Sequence, residues 1–215
     1  MSCILLYMEK LFTTSAIVKL PLDLPEAAVW SRLGRNRFLS RITPEQEVEC
    51  KLSMLRALNV ITPCGRWKLL KISAAGSSQV TLNETWCIES SAFAEFAAGS
   101  KYMLLGAVTV GCNIAELIAR SSRIAEQAVF DAVGSECADQ AIAMLMKIAD
   151  NTLRRYGLTV AGKRFSVGYG GVSLAEQSRI FELLDLEAMG ITLTGSFIMQ
   201  PEKSVTAFAP VMSLN

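Results

Sequence analysis

Between Arg123 and Tyr156 the residues Phe130, Val133, Cys137, Ala141, Met144 and Ile148 recur at spacings of three and four. That period lines them up on one face of a helix, and no other stretch of the chain has so sustained a pattern. The spacing predicts one long helix, with Gly157 as its C-terminal stop. Small residues punctuate it at Ala128, Ala132, Gly134, Ser135 and Ala138. They let another backbone approach closely, and tight packing onto a sheet accounts for them.

The flanking segments supply that sheet. Tyr102 to Val110 is apolar enough for a central strand. Arg66 to Ile72 and Val80 to Ile88 read as a hairpin turning at Gly76-Ser77-Ser78. Phe12 to Leu20 is a further strand candidate. Thr43 with Pro44 and Gln46 is a capping-box helix start, and Val48, Leu52, Leu55 and Leu58 form that helix's apolar stripe. Shorter helices are expected over Glu26 to Leu33, Ser90 to Ala97 and from Asn113, which with Glu116 makes an N-cap signature. After Gly157, Lys163 to Tyr169 reads as a short strand entering the turn Gly168-Tyr169-Gly170-Gly171. A helix capped by Ser173 and Glu176 follows. Ile191 to Met199 and Ser204 to Phe208 then form a hairpin across Gln200-Pro201-Glu202-Lys203. The order predicts an α+β fold.

Composition excludes several chemistries. None of the 215 residues is histidine, so Ser-His-Asp and Cys-His catalysis and imidazole-dependent metal sites are ruled out. With 21 basic and 20 acidic residues, the net charge of +1 makes no electrostatic case for nucleic acid or an anionic membrane. Cys3, Cys50, Cys64, Cys87, Cys112 and Cys137 form no CxxC pair. They read as free, mostly buried thiols in a reducing compartment. No segment suits a signal peptide or a membrane span, so a soluble cytoplasmic protein is expected.

Arg164 and the glycine-rich turn offer the clearest binding chemistry. A guanidinium beside exposed backbone N–H groups holds a carboxylate or phosphate bidentately. Tyr169 adds a flat face and a hydroxyl. A surface arginine beside an ordinary tight turn is the competing reading. No Gly-Lys-Ser/Thr follows, so the turn is not a Walker loop. Glu84, Glu89, Asp131 and Glu136 have no spacing that demands acid–base work, and solvated faces explain them. No catalytic or metal-ligating residue is assigned.

Linked motifs carry a family resemblance. Arg164-Phe165-Ser166-Val167-Gly168-Tyr169-Gly170-Gly171 resembles the R-x-S/A-P-G-Y stretch of the activation domain of vitamin B12-dependent methionine synthase. Ile191 to Pro201 is similar to that family's L-T-E-S-x-x-M-x-P, and Lys203-Ser204-Val205-Thr206-Ala207 to its K-S-V-S/T-x strand. Phe130-Asp131-Ala132-Val133-Gly134-Ser135 is similar to the D-A-x-G-S helix of free-standing members. Gly106 to Leu117 is similar to their strand-to-helix passage. The match runs in order over roughly residues 25 to 210. It implies one domain over residues 25–215, preceded by an N-terminal extension or strand over 1–24.

The resemblance implies a twisted antiparallel sheet with a long packing helix, and a role in corrinoid repair. A cofactor stranded as cob(II)alamin regains its methyl group from S-adenosylmethionine after one electron arrives from a flavodoxin-type reductant. The domain contributes proximity, and the cofactor carries the chemistry. By this likeness Arg164 would hold the methionine carboxylate, the Ser166 backbone the adenine end, and Gly168, Tyr169 and Gly170 would line the site. The implied partner is a corrinoid protein or cobalamin-dependent methyltransferase. Three positions depart from the pattern: Val167 replaces a proline, Gly195 a glutamate and Ala209 a tyrosine. The alternative is a non-catalytic binding module of such a system that no longer binds S-adenosylmethionine.

Overall fold

The computed structural model describes residues 10–35 and 42–214. The expectations for Met1 to Glu9, including Cys3, fall outside the described residues. Six α-helices and nine strands are assigned among these residues. The helices are α1 (Glu26–Arg32), α2 (Pro44–Val60), α3 (Ser91–Ala97), α4 (Asn113–Arg120), α5 (Ile124–Arg154) and α6 (Gln177–Leu184). The strands are β1 (Val18–Lys19), β2 (Cys64–Ala75), β3 (Gln79–Leu82), β4 (Trp86–Glu89), β5 (Tyr102–Thr109), β6 (Leu158–Val160), β7 (Thr192–Leu193), β8 (Met199–Gln200) and β9 (Ser204–Ser213). The order in the large sheet is β4-β3-β2-β5-β9-β6, with β1 also on β2. Every described pairing is antiparallel, and the sheet curls into a half-barrel. The α+β expectation is met.

Helix α5 lies along one face of this sheet, as its period predicts. Its C-terminal half buries Ala141, Ile142, Leu145, Ala149 and Leu153 against Leu69, Leu104, Val108, Ala207 and Val211. The contact is close because the strands carry glycine beneath it. A Cβ on Gly65 would stand 2.9 Å from the Ala107 carbonyl oxygen and 3.0 Å from Leu145. One on Gly106 would stand 3.0 Å from Met146. Asp150 then ties the helix end to β6. Its Oδ1 accepts from the Val160 N–H at 2.8 Å and Thr159 at 2.9 Å, and its Oδ2 from Arg154 at 2.6 Å. Burial alone would raise this carboxyl, but those donors outweigh it and hold it below the ordinary range.

The opposite sheet face packs Leu70, Met103, Leu105 and Phe208 under α3, α6 and the β3–β4 hairpin. A third cluster joins α1, α2 and α4 to the N-terminal half of α5, through Val29, Met54, Ala57, Ile114, Phe130 and Val133. The N-terminal residues Leu11 and Leu20 are buried in the α5 core.

Several expectations are corrected. The Thr43 capping box forms, yet Val48, Leu52 and Leu55 face solvent while Ser53, Met54 and Ala57 are buried. The predicted strand Val80 to Ile88 is two strands, because Asn83 and Glu84 take φ of 47° and 67° and turn the chain. Phe12 to Leu20 yields only the two-residue β1, and Lys163 to Tyr169 only a bridge at Phe165. Cys112, not Asn113, is the N-cap of α4, and no side chain caps it. Glu176 forms no capping box; it accepts from the Trp86 indole at 2.6 Å. Ile191 to Met199 does not pair with β9: β7 and β8 pair with each other, and β9 lies between β5 and β6. The five described cysteines are free, but Cys87 and Cys112 are exposed. Cys137 is buried, which pushes its thiol up to about 11. No helix among the described residues is long and apolar enough to cross a membrane.

Candidate functional site

The chain leaves β6 and runs along the free edge of β9. Phe165 and Phe208 exchange backbone hydrogen bonds of 2.9 and 2.7 Å. The Phe165 ring packs edge-on to Phe93 at 5.2 Å, on the face away from α5. Strand alternation therefore sends its neighbours to the other side. Arg164 reaches α5, where its guanidinium lies 3.5 Å from the Asp139 carbonyl oxygen. The Ser166 hydroxyl donates to the Thr206 carbonyl at 2.8 Å.

Two buried valines, Val167 and Val172, anchor the turn between them. Gly168, Gly170 and Gly171 have φ of 83°, 54° and 83°, a left-handed run that side chains resist. The Gly168 N–H donates to the Val172 carbonyl, and the Val172 N–H to the Tyr169 carbonyl, each at 2.9 Å. Ser90 does two jobs: its hydroxyl caps α3 through the Phe93 N–H and donates to the Gly170 carbonyl at 2.6 Å. A Cβ on Gly170 would sit 2.8 Å from the Phe165 ring. Here glycine is required for both conformation and space.

This corner keeps its polar groups open. Among the described residues no carboxylate pairs with Arg164, since the Asp139 carboxylate lies 3.9 Å from Arg32 instead. The backbone N–H groups of Tyr169 and Gly170 have no protein acceptor among the described residues. Arg164, Gly168, Tyr169 and Gly170 are exposed, the tyrosine by 72%. Ser166 is half-buried. The guanidinium thus lies on the α5 side of the β9 edge, while the turn is clipped to α3 on the other face.

A separate cleft was not anticipated from the sequence. It has a volume of about 590 Å³ and lies where α4, α5 and the start of β9 meet. Ile114, Ala115 and Ile118 form an apolar wall opposite Pro201, with Asp131 and Lys203 between. Lys203 donates to Asp131 at 2.5 Å and Ser135 at 2.9 Å. The only sequence signal was the Lys203-Ser204-Val205 run, which does not reveal its partner 72 residues away. None of the glycine-turn residues lines this cleft. Among the described residues no group of three potential ligands is placed to hold a metal.

The departures from the motif pattern also have places. Gly195 lies in the β7–β8 turn with open space where a side chain would be. Ala209 is fully buried on the α5 side of β9.

A half-barrel of antiparallel strands backed by one long helix defines the fold class of this chain. The sequence model of the family described as vitamin B12 dependent methionine synthase, activation domain, matches residues 102–211, just over half of the chain. The chain belongs to that family. Its fold is similar to a crystal structure of the MetH reactivation domain bound to AdoHcy, with a TM-score of 0.56 at 15% identity, covering 91% of this chain and 78% of that one. No curated protein matches.

Proposed function

We propose that this protein is an activation module that binds S-adenosylmethionine at the Arg164 corner and presents it to a cobalamin-binding partner. The observation that carries the reading is an exposed arginine without a carboxylate partner and, across the β9 edge, a glycine turn with two free amides, in a member of this family. The donor set fits the ligand. Arg164 would take the carboxylate in a bidentate pair. Ser166 would offer backbone contacts to the adenine end, and Tyr169 with Gly168 and Gly170 would line the nucleoside. Bound there, the sulfonium supplies an electrophilic methyl group. The exposure of Arg164, Tyr169 and Gly170 suits this role, because the methyl must meet a cobalt held by another protein. The residues of this chain bind and orient; their contribution is proximity.

The rest of the reading follows. The partner is a corrinoid protein or cobalamin-dependent methyltransferase, with a flavodoxin-type reductant supplying the electron. The protein works in the cytoplasm, with residues 25–215 as one domain and 1–24 as its extension. A second reading is favoured by Gly195 and Ala209, which place no polar group where the family pattern has glutamate and tyrosine. In it the module docks on the corrinoid protein without the nucleoside.

Calorimetric titration separates the two. The first predicts saturable binding of S-adenosylmethionine, weakened tenfold or more in Arg164→Ala, a loss of roughly 1.4 kcal/mol or more. No heat of binding at millimolar ligand contradicts it. Recovery of a corrinoid protein without nucleoside then supports the second, and failure to recover one contradicts both.

A further inference from the structure

Both legs of the glycine turn are fastened to one residue of β9. On the way in, the Ser166 hydroxyl donates to the Thr206 carbonyl at 2.8 Å. On the way out, Ser173 caps a 3-10 turn over Leu174–Glu176, and the chain enters α6 at Gln177. There the Thr206 hydroxyl donates to the Gln177 side-chain oxygen at 3.0 Å. Residues 167–176 thus form a loop whose two ends meet at Thr206. The contact is internal: Thr206 is 4% exposed and Gln177 2%. Thr206 is itself fixed in the sheet opposite Ala107 of β5. Its side chain takes the same face as Phe208, the one α6 covers.

A buried hydroxyl–amide pair gains little over two apolar groups of the same shape. What it adds is direction, since a hydrogen bond accepts only a narrow range of distance and angle. Ser90 and Trp86 tie the turn and its exit to α3 and β4. Thr206 ties them to β9, the strand along whose edge Arg164 lies. We propose that Thr206 and Gln177 are positioning residues for the Arg164 corner. They touch no ligand; they set the separation between the guanidinium and the free amides of Tyr169 and Gly170. The inference rests on the proposed binding of S-adenosylmethionine at that corner. A ligand that spans both groups binds best when their spacing is preset, because the ordering cost is then met at folding. Without the Thr206–Gln177 bond the exit leg is released, and the ligand must order it.

Thr206→Val removes the hydroxyl and keeps the shape, whereas Thr206→Ser keeps the hydroxyl. Calorimetric titration well below the unfolding range should show S-adenosylmethionine bound about fivefold more weakly by Thr206→Val, with the affinity regained in Thr206→Ser. Met54→Ala opens a cavity in the separate cluster under α2. It is destabilised too, but should bind as the unaltered protein does. Without ligand, exchange of the Val172 amide, which donates to the Tyr169 carbonyl, should be faster in Thr206→Val than in Met54→Ala. If Thr206→Val does not fold, Gln177→Met removes the same bond from the other side, with the same loss expected. Unchanged affinity in the variant lacking the bond overturns the inference and leaves the proposed function standing. An equal loss in Met54→Ala or in Thr206→Ser does the same. No binding by the unaltered protein overturns the proposed function, and this inference with it.

Discussion

The seam between α5 and the sheet and the corner at Arg164 both depend on glycine, for opposite reasons. In the seam, Gly65 and Gly106 remove side chains so that a helix can press into the strands, and the space is filled. At the corner, Gly168, Gly170 and Gly171 supply left-handed backbone, and the turn they build leaves the Tyr169 and Gly170 amides without acceptors among the described residues, while Arg164 has no carboxylate partner there. Closed packing makes the fold, and the unspent polar groups at its edge are what a ligand can claim. Glycine content marks both regions without distinguishing them.

The largest break in this comparison comes from filling the seam. Gly65→Val drives a side chain against the Ala107 carbonyl and Leu145, and a loss of about 3 kcal/mol in urea unfolding is expected. A loss under about 1 kcal/mol would mean a looser seam. Next comes Gly170→Ala, which adds left-handed strain to a clash with the Phe165 ring, for about 2 kcal/mol. Gly195→Ala, with open space around it, should cost little by the same assay.

Asp150→Asn removes the clip between α5 and β6 and costs about 1–2 kcal/mol at neutral pH. The native carboxyl is held below its unfolded value, so its contribution is complete above about pH 4 and fades as pH falls through the folded value. The gap between the two proteins therefore narrows in acid. A gap that is constant with pH would remove the carboxylate from the explanation. Smallest of all is Arg164→Ala, expected to shift stability by no more than about 0.5 kcal/mol, with its effect confined to binding. A large stability loss there would make Arg164 part of the frame.

Local patterns carried most of the fold. The period of α5, the Thr43 capping box and the apolar run of β5 are set by residues close in sequence, so they were legible. The outward stripe of α2 was not. Its spacing defines a face, but the protein buries the other one, where Ser53, Met54 and Ala57 are small or flexible enough to lie against α5. The β9 pairing was lost because Ser204 meets Thr109, far back in the chain, and the loop before it is long enough to mimic a hairpin partner. At the candidate site, the residues Arg164 to Gly171 stand out in sequence as one unit. The structure adds what sequence lacks: which side of the β9 edge the arginine takes, and that Ser90 clips the turn.

The most direct test follows backbone amides by NMR while S-adenosylhomocysteine, a stable stand-in for the methyl donor, is added. The account predicts shifts at Gly168, Tyr169 and Gly170 and at the Arg164 side chain, with Gly65 and Gly106 unmoved. Shifts concentrated at Ile114 and Lys203 around the second cleft, or none at millimolar ligand, would contradict it.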